Sequence, residues 1–444
     1  MTTPPRSIPP LPPPERQGIR AGFLGLIFLL LAGIIAASAF FYGHKKSADI
    51  ISTPGPASIE PEKKVQMPVM PATTPVPVIA ATPTASAPDT AKLIANLTDE
   101  SLPLKTRCEA ARLLARLGTA EAMTALKNAL AANSPPYLKA AIAEAFGECP
   151  SAEAPGLLNS LVHNKDEITA RGAVRGLALR GDAAALTSLG NLLFNPETPI
   201  SIRTEAAMSL GDVKLPGAQD MLVRAVTEIQ DESVVESVLT GLAKRPFSET
   251  QFFFNNYLLS TNVSAESKAA AIEALGNAPG DTASFLLNYL NNPSAEIRAA
   301  VAWALVTAES AGDIGTQLTG ALKQEQDPQV RIRLYQALRN QSAANSQALL
   351  PLVQNETNTT ARLAGLEYLA GTVRSSSTPE VAVFFNQTAV PELKSTALNS
   401  DNSQNRLAAV LALQRAGTPE AIVALQTIAQ QSKDQKVLSA VRLK

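Results

Sequence analysis

Residues Arg107-Cys108-Glu109-Ala110-Ala111-Arg112-Leu113-Leu114 set the pattern: a basic residue, then apolar side chains three, four and seven places on. The pattern returns at Lys139 with Ile142, Ala143 and Phe146, at Arg203 with Ala206, Ala207 and Leu210, and at Lys268 with Ala271, Ile272 and Leu275. Arg171, Arg298, Arg331, Arg362 and Arg406 mark further copies. Offsets of three, four and seven lie on one stripe of a helix. Recurrence at roughly 32 residues is the mark of a solenoid, in which units too small to fold alone stack into one core.

Between these helices runs a second ladder. Leu126, Leu158, Leu189, Leu222, Phe253, Leu286, Leu318 and Leu349 occupy one position, and Leu130, Val162, Leu193, Val226, Tyr257, Leu290, Leu322 and Val353 the position four residues on. Every slot is apolar, so each repeat is expected to be a pair of antiparallel helices. Pro136, Pro199, Pro293 and Pro328 stand near the first turn of the first helix, where a missing N–H costs little. Gly118, Gly147, Gly181, Gly211 and Gly276 follow that helix and are expected to close it in the left-handed conformation.

Ile297-Arg298-Ala299-Ala300-Val301-Ala302-Trp303-Ala304-Leu305 and Arg203-Thr204-Glu205-Ala206-Ala207-Met208-Ser209-Leu210-Gly211 resemble the short HEAT repeats of the phycobilisome-lyase type. The resemblance covers residues 91–444, about ten repeats. It implies an all-α solenoid, with paired helices stacked into a superhelix on the order of 100 Å long and second helices lining its concave face. It also implies that the basic ladder pairs with turn acids of neighbouring repeats, for which Glu121, Glu153, Asp281, Asp313 and Glu420 are the candidates; an anion-binding stripe is the alternative. Glu236 stands where the fifth basic residue is expected. About a dozen residues are inserted near 372–391, and Lys433–Lys444 form a terminal half repeat.

Ahead of the repeats, residues 1–20 form a Pro-rich tail expected to be disordered, in which Arg6, Pro9 and Pro12 have the spacing of an SH3 ligand. Residues 21–43 carry no charge and reach about 34 Å as a helix, enough to span a bilayer. A cleaved signal peptide ending near Ala37-Ser38-Ala39 is the alternative. Arg6, Arg16 and Arg20 before the span, against Lys45 and Lys46 after it, lean toward a cytoplasmic N-terminus and an extracytoplasmic repeat domain. Residues 44–90 are rich in Pro, Thr and Ala and are expected to be a disordered tether of roughly 40 Å root-mean-square span.

The chemistry-bearing residues are few. A net charge of −1 gives no reason to expect nucleic acid, which would favour a basic face. Cys108 and Cys149 are expected as small buried hydrophobes, too far apart for a disulfide. His163 is the lone histidine of the repeat region and reads as a surface residue. No metal-ligand cluster, phosphate loop or nucleophile motif occurs, so no catalytic residue, cofactor, metal or small-molecule substrate is expected. Six N-x-S/T triplets (Asn96, Asn262, Asn340, Asn355, Asn358, Asn386) matter only on a eukaryotic secretory route. The candidate protein-binding patch is Val223, Phe254 and Leu287, at equivalent positions one residue past the second ladder, with Phe253 and Tyr257 as core. The expected function is a membrane-anchored scaffold that binds a protein partner without catalysis. A bilin lyase or isomerase subunit, as the repeat family implies, and an envelope spacer are the alternatives.

Overall fold

The computed structural model describes residues 89–341, 345–375 and 379–442. The tail 1–20, the span 21–43 and all of the tether up to residue 88 lie outside the described residues, as do 376–378 of the insertion. Among the described residues no helix is long and apolar enough to cross a membrane.

The described chain is an all-α solenoid. It opens on α1 (Thr90–Thr98), then runs through helix pairs: α2 (Leu104–Leu117) with α3 (Ala120–Ala131), α4 (Pro136–Ala145) with α5 (Ala154–Leu161), α6 (Glu167–Arg180) with α7 (Ala183–Phe194), and α8 (Ile200–Leu210) with α9 (Pro216–Glu228). The series continues with α10 (Glu232–Ala243) and α11 (Phe247–Leu259), α12 (Ala265–Leu275) and α13 (Ala283–Leu286), α14 (Ala295–Ala304) and α15 (Gly315–Gln324), and α16 (Pro328–Leu338) and α17 (Ser346–Gln354). α18 (Thr359–Thr372) is followed by one continuous helical run: α19 (Pro379–Phe384), a π segment Phe385–Ala389, and α20 (Val390–Asn399). α21 (Ser403–Ala416) and α22 (Pro419–Gln431) form the last pair, and α23 (Gln435–Arg442) the half repeat. The inserted residues thus lengthen a second helix, and the π turn takes up the register they add.

Each first helix starts the same way. Its N-cap residue sits four places before the ladder residue, whose N–H closes the first turn on the cap carbonyl: Pro103 to Arg107, Asp166 to Ala170, Asp231 to Val235, Asp327 to Arg331, Asn402 to Arg406. Asp166, Asp231, Asp327, Asn358 and Asn402 also accept backbone N–H bonds through their side chains, which satisfies donors a helix start leaves open. This register corrects two positions. The third ladder residue is Ala170, not Arg171, and the fifth is Val235, not Glu236; each charged residue lies one place further round the helix. Ala173, Val174 and Leu177, and Val238, Leu239 and Leu242, are the buried sets that follow.

The second-helix ladder forms the core. Leu126, Leu158, Leu189, Leu222, Leu286, Leu318 and Leu349 have no exposed surface; Phe253 alone of that position is only partly buried. The glycines divide into two kinds. Gly118, Gly181 and Gly417 are left-handed C-caps at φ near 60°. Gly147, Gly211 and Gly276 are not, which corrects the expectation for them. They lie where a Cβ would strike the next first helix: the carbonyl of Gly176, the carbonyl of Gly241, and Ala304 Cα at 2.8 Å. Successive first helices therefore pack backbone to backbone, and small residues are what permit it.

Candidate functional site

Six arginines of the basic ladder act as structural clamps. Arg107 Nε donates to the Leu97 carbonyl and Arg203 Nε to the Leu193 carbonyl, both at 3.1 Å. Arg298 Nη1 binds the carbonyls of Asn292 and Pro293, Arg331 Nη1 those of Leu322 and Glu325, Arg362 Nη1 those of Val353 and Gln354, and Arg406 Nη1 those of Ser400 and Asp401. Each guanidinium thus holds carbonyls at or just beyond the C-terminal end of the preceding helix, where unpaired carbonyls carry partial negative charge. The other edge reaches forward to an acid of the next repeat: Arg298 to Glu325 (2.6 Å), Arg331 to Glu356 (2.5 Å), Arg362 to Glu392 (2.7 Å) and Arg406 to Asp434 (2.7 Å).

The acids differ from the turn acids expected. Glu153 pairs with Lys127, and Asp281 binds Ser284. Glu325 and Glu356 stand two residues before the N-caps Asp327 and Asn358, where they also accept backbone N–H bonds. Arg171 pairs with Glu205 from its shifted position. Lys139 and Lys268 keep the ladder register and are half-buried.

Burial pushes the Glu325 carboxyl up, but hydrogen bonds from Arg298 and from the backbone of Asp327 and Gln326 outweigh it and hold it below the usual carboxylate value. A lowered folded pKa stabilises above the unfolded value of about 4.3 and is lost as pH falls through the folded value. Glu325→Gln is therefore expected to shift the low-pH end of the acid unfolding curve toward that of a chain with no such linkage, read by circular dichroism. An unchanged acid limb would remove Glu325 from the account.

Exposed apolar side chains occur along the solenoid, and the most exposed large one among the described residues, Phe252, lies in the fifth repeat. In α11 the buried residues are Phe247, Thr250, Phe254 and Leu258, at spacings of three, four and four. This corrects the expected patch: Phe254 is fully buried, while Val223 and Leu287 are partly buried against the core. The helix is rotated by about one residue relative to the other second helices, so Phe253 and Tyr257 move to the margin, stacked at 5.6 Å. Phe252 then points outward at 80% exposure, with Leu259 two turns on at 66%. Beside them, Phe285 of α13 lies 5.2 Å from Phe247 and 5.5 Å from Tyr289. An open groove of about 530 Å³ runs between Pro246, Phe247, Pro279, Phe285 and Asn288.

The rest of the chemistry is sparse. Cys149 is buried with Sγ 3.5 Å from Met123 Sδ, Cys108 is half-buried, and both are free thiols. Burial pushes the Cys108 thiol up, which makes it a poor nucleophile. His163 is exposed after α5. Among the described residues no group of three or more His, Cys, Asp or Glu could hold a metal ion.

The family model described as HEAT repeats matches residues 154–243 and 257–339, and that of the PBS lyase HEAT-like repeat matches 106–132. No curated protein sequence matches the chain. Among solved structures, Kap121p is similar at 14% identity over 79% of this chain and 44% of its own, with a TM-score of 0.46. Importin beta is similar at 13% identity over 79% of this chain and 56% of its own, with a TM-score of 0.41. Human deoxyhypusine hydroxylase is similar at 21% identity over 58% of this chain and 93% of its own, with a TM-score of 0.26. The chain spans about half the length of the first two. None of these scores reaches 0.5, so any functional reading stands on this chain's own residues. Over residues 106–132, 154–243 and 257–339, then, the helix pairs of the solenoid are similar to HEAT-type repeats.

Proposed function

We propose that this protein is a non-catalytic scaffold that binds a protein partner through the aromatic face of α11. Residues 21–43 anchor it to a membrane, residues 44–90 tether it, and the solenoid lies on the extracytoplasmic side. One observation carries the binding surface: Phe252 and Leu259 are exposed on one face of a helix whose Phe254 is fully buried. A well-exposed Phe stabilises nothing in the folded chain, whereas covering it in an interface would be worth about 1.5–3 kcal/mol. Helices held by packed neighbours lose little conformational freedom on binding, which favours a preformed surface of this kind.

A photocrosslinking residue at position 252 in the full-length chain is expected to give a discrete protein adduct in the native cell. A crosslinker at Ile422, exposed in α22, is expected to give none of the same mass. Phe252→Ser should leave the unfolding free energy within about 0.5 kcal/mol, and Leu259→Ser should abolish the adduct at 252. Identical adduct patterns at 252 and 422 would sink the assignment. Protease added to intact and then to opened cells, with an epitope at Lys444, tests the topology separately. Protection until the inner membrane is lysed would reverse the orientation.

A further inference from the structure

A second surface lies on the other helix row, at the ninth and tenth layers. In a regular solenoid each layer touches only its neighbours. Here Arg415, on α21, reaches across α18 and donates from Nη2 to the carbonyl of Arg339 at the end of α16, at 3.4 Å. The crossing is possible because residue 371 on α18 is glycine: a Cβ there would stand 2.6 Å from Arg415 Nε and 2.7 Å from its Cζ. The guanidinium therefore occupies the space against α18 that a Cβ would fill.

Its charge is only partly offset there, by Glu367, which also lines the groove. Glu367 pairs with Arg339 at 2.8 Å. Among the described residues no carboxylate comes within 4 Å of the Arg415 nitrogens. Two guanidiniums thus flank one carboxylate. Burial and then the neighbouring Arg339 push Arg415 below the usual guanidinium value, with Glu367 opposing. Next to it, Gln404, Leu407, Ala408 and Leu411 follow one another on the same face of α21, and Leu411 is 58% exposed. The whole forms a groove of about 470 Å³.

We propose that this groove binds an acidic, aliphatic segment of a protein partner: a carboxylate side chain on Arg415, and the aliphatic side chain next to it on Leu407 and Leu411. Charge complementarity selects the occupant. A guanidinium presents its N–H donors in a plane suited to a carboxylate, and the leucine floor favours a neighbour that is apolar. The aromatic face of α11 takes no part in it, so the two surfaces fail or stand independently.

The test uses the full-length chain in nonionic detergent and a fluorescein-labelled octapeptide of alternating leucine and glutamate, read by anisotropy at low ionic strength. Saturable binding is expected, weakened roughly tenfold by Arg415→Gln and by replacing the peptide's glutamates with glutamine. Gly371→Ala is the second variant. It displaces only the end of a flexible side chain, so it should keep the circular dichroism spectrum and not lower the melting temperature, while losing the same affinity. Phe252→Ser should bind as the parent does. The proposal is overturned if no peptide saturates the chain, or if the glutamine peptide binds equally. Insensitivity to Gly371→Ala or Arg415→Gln would overturn it too. Displacement by inorganic phosphate as effective as by unlabelled peptide would replace it with a plain anion site.

Discussion

Arg331→Ala is expected to lower the unfolding free energy by about 3–5 kcal/mol. The side chains of Arg331 and Glu356 are 15% and 5% exposed, so water cannot take the place of either partner. Removing the guanidinium leaves Glu356 with the N–H of Asn358 as its backbone donor, and leaves the carbonyls of Leu322 and Glu325 without their cap. The loss is thus mostly the penalty for a stranded carboxylate, not the net worth of the pair. That distinction is measurable. The double variant Arg331→Met with Glu356→Leu should recover most of the loss, because two apolar side chains of similar size leave no charge behind. Urea unfolding followed by circular dichroism gives the numbers, with the Arg116–Glu148 pair as the comparison. That pair is 55% and 29% exposed, and breaking it should cost less than about 1 kcal/mol. A loss from Arg331→Ala no larger than from Arg116→Ala would refute the clamp. Layers of a solenoid are coupled chiefly to their neighbours, so the variant is also expected to show an early transition confined to part of the helix signal.

The repeat and its two ladders were legible because burial of a helix stripe is a periodic demand, and a period survives substitution. What was not legible was phase within single helices. Arg171 and Glu236 fall one place beyond a ladder position held by Ala170 and Val235. The spacing between basic residues could not separate these cases, whereas the cap four residues earlier does. Asp166 and Asp231 are strong N-cap residues, and counting on from them places Ala170 and Val235 on the stripe. The same one-residue ambiguity misplaced the binding patch. Phe252, Phe253 and Phe254 are alike in hydrophobicity, so only packing decides which one is buried, and it chose Phe254.

The clamp acids were hidden for another reason. Glu325 lies in the residues between α15 and the cap of α16, and its pairing with Arg298 is 27 residues long-range. No local pattern announces it. In hindsight a signal exists where the preceding ladder residue is arginine: an acid six residues before the next ladder residue then occurs at Glu325 and Glu356, and both are paired, whereas Glu197 holds the same place after the uncharged Ala170. Where that place is Ile229 or Asn133, the preceding Arg203 and Arg107 side chains hydrogen-bond to a carbonyl instead. The Arg415 groove left no trace in the sequence, since it depends on a contact between layers separated by a whole repeat.

The glycines give the sharpest test of whether backbone contact between first helices is real. Gly172 lies inside α6, where alanine would ordinarily stabilise a helix by about 1 kcal/mol. The three atoms nearest a Cβ at this position are all backbone of α4: the carbonyl oxygen of Ala140, its Cα at 2.7 Å and its carbonyl carbon at 2.8 Å. No side chain can rotate away, so the two helices must separate, and they do so at the expense of the close contact shared by Ala143 and Gly176. Overpacking of this kind costs about 1–3 kcal/mol. Because the offending atoms are all backbone, Gly172→Ala is expected at the upper end, a net loss of about 2–3 kcal/mol in spite of the propensity gain. Gly320 is the matched control. It is equally interior to a helix, α15, but a Cβ there meets nothing within 4 Å. Gly320→Ala should therefore stabilise the chain by about 0.5–1 kcal/mol. The two substitutions are chemically identical, so helix propensity and unfolded-state entropy predict the same sign for both. Opposite signs in urea unfolding would show that the approach of α4 to α6 decides the outcome. If Gly172→Ala also stabilised, the first helices would not be in backbone contact, and the reading of Gly147, Gly211 and Gly276 as spacers would fall with it.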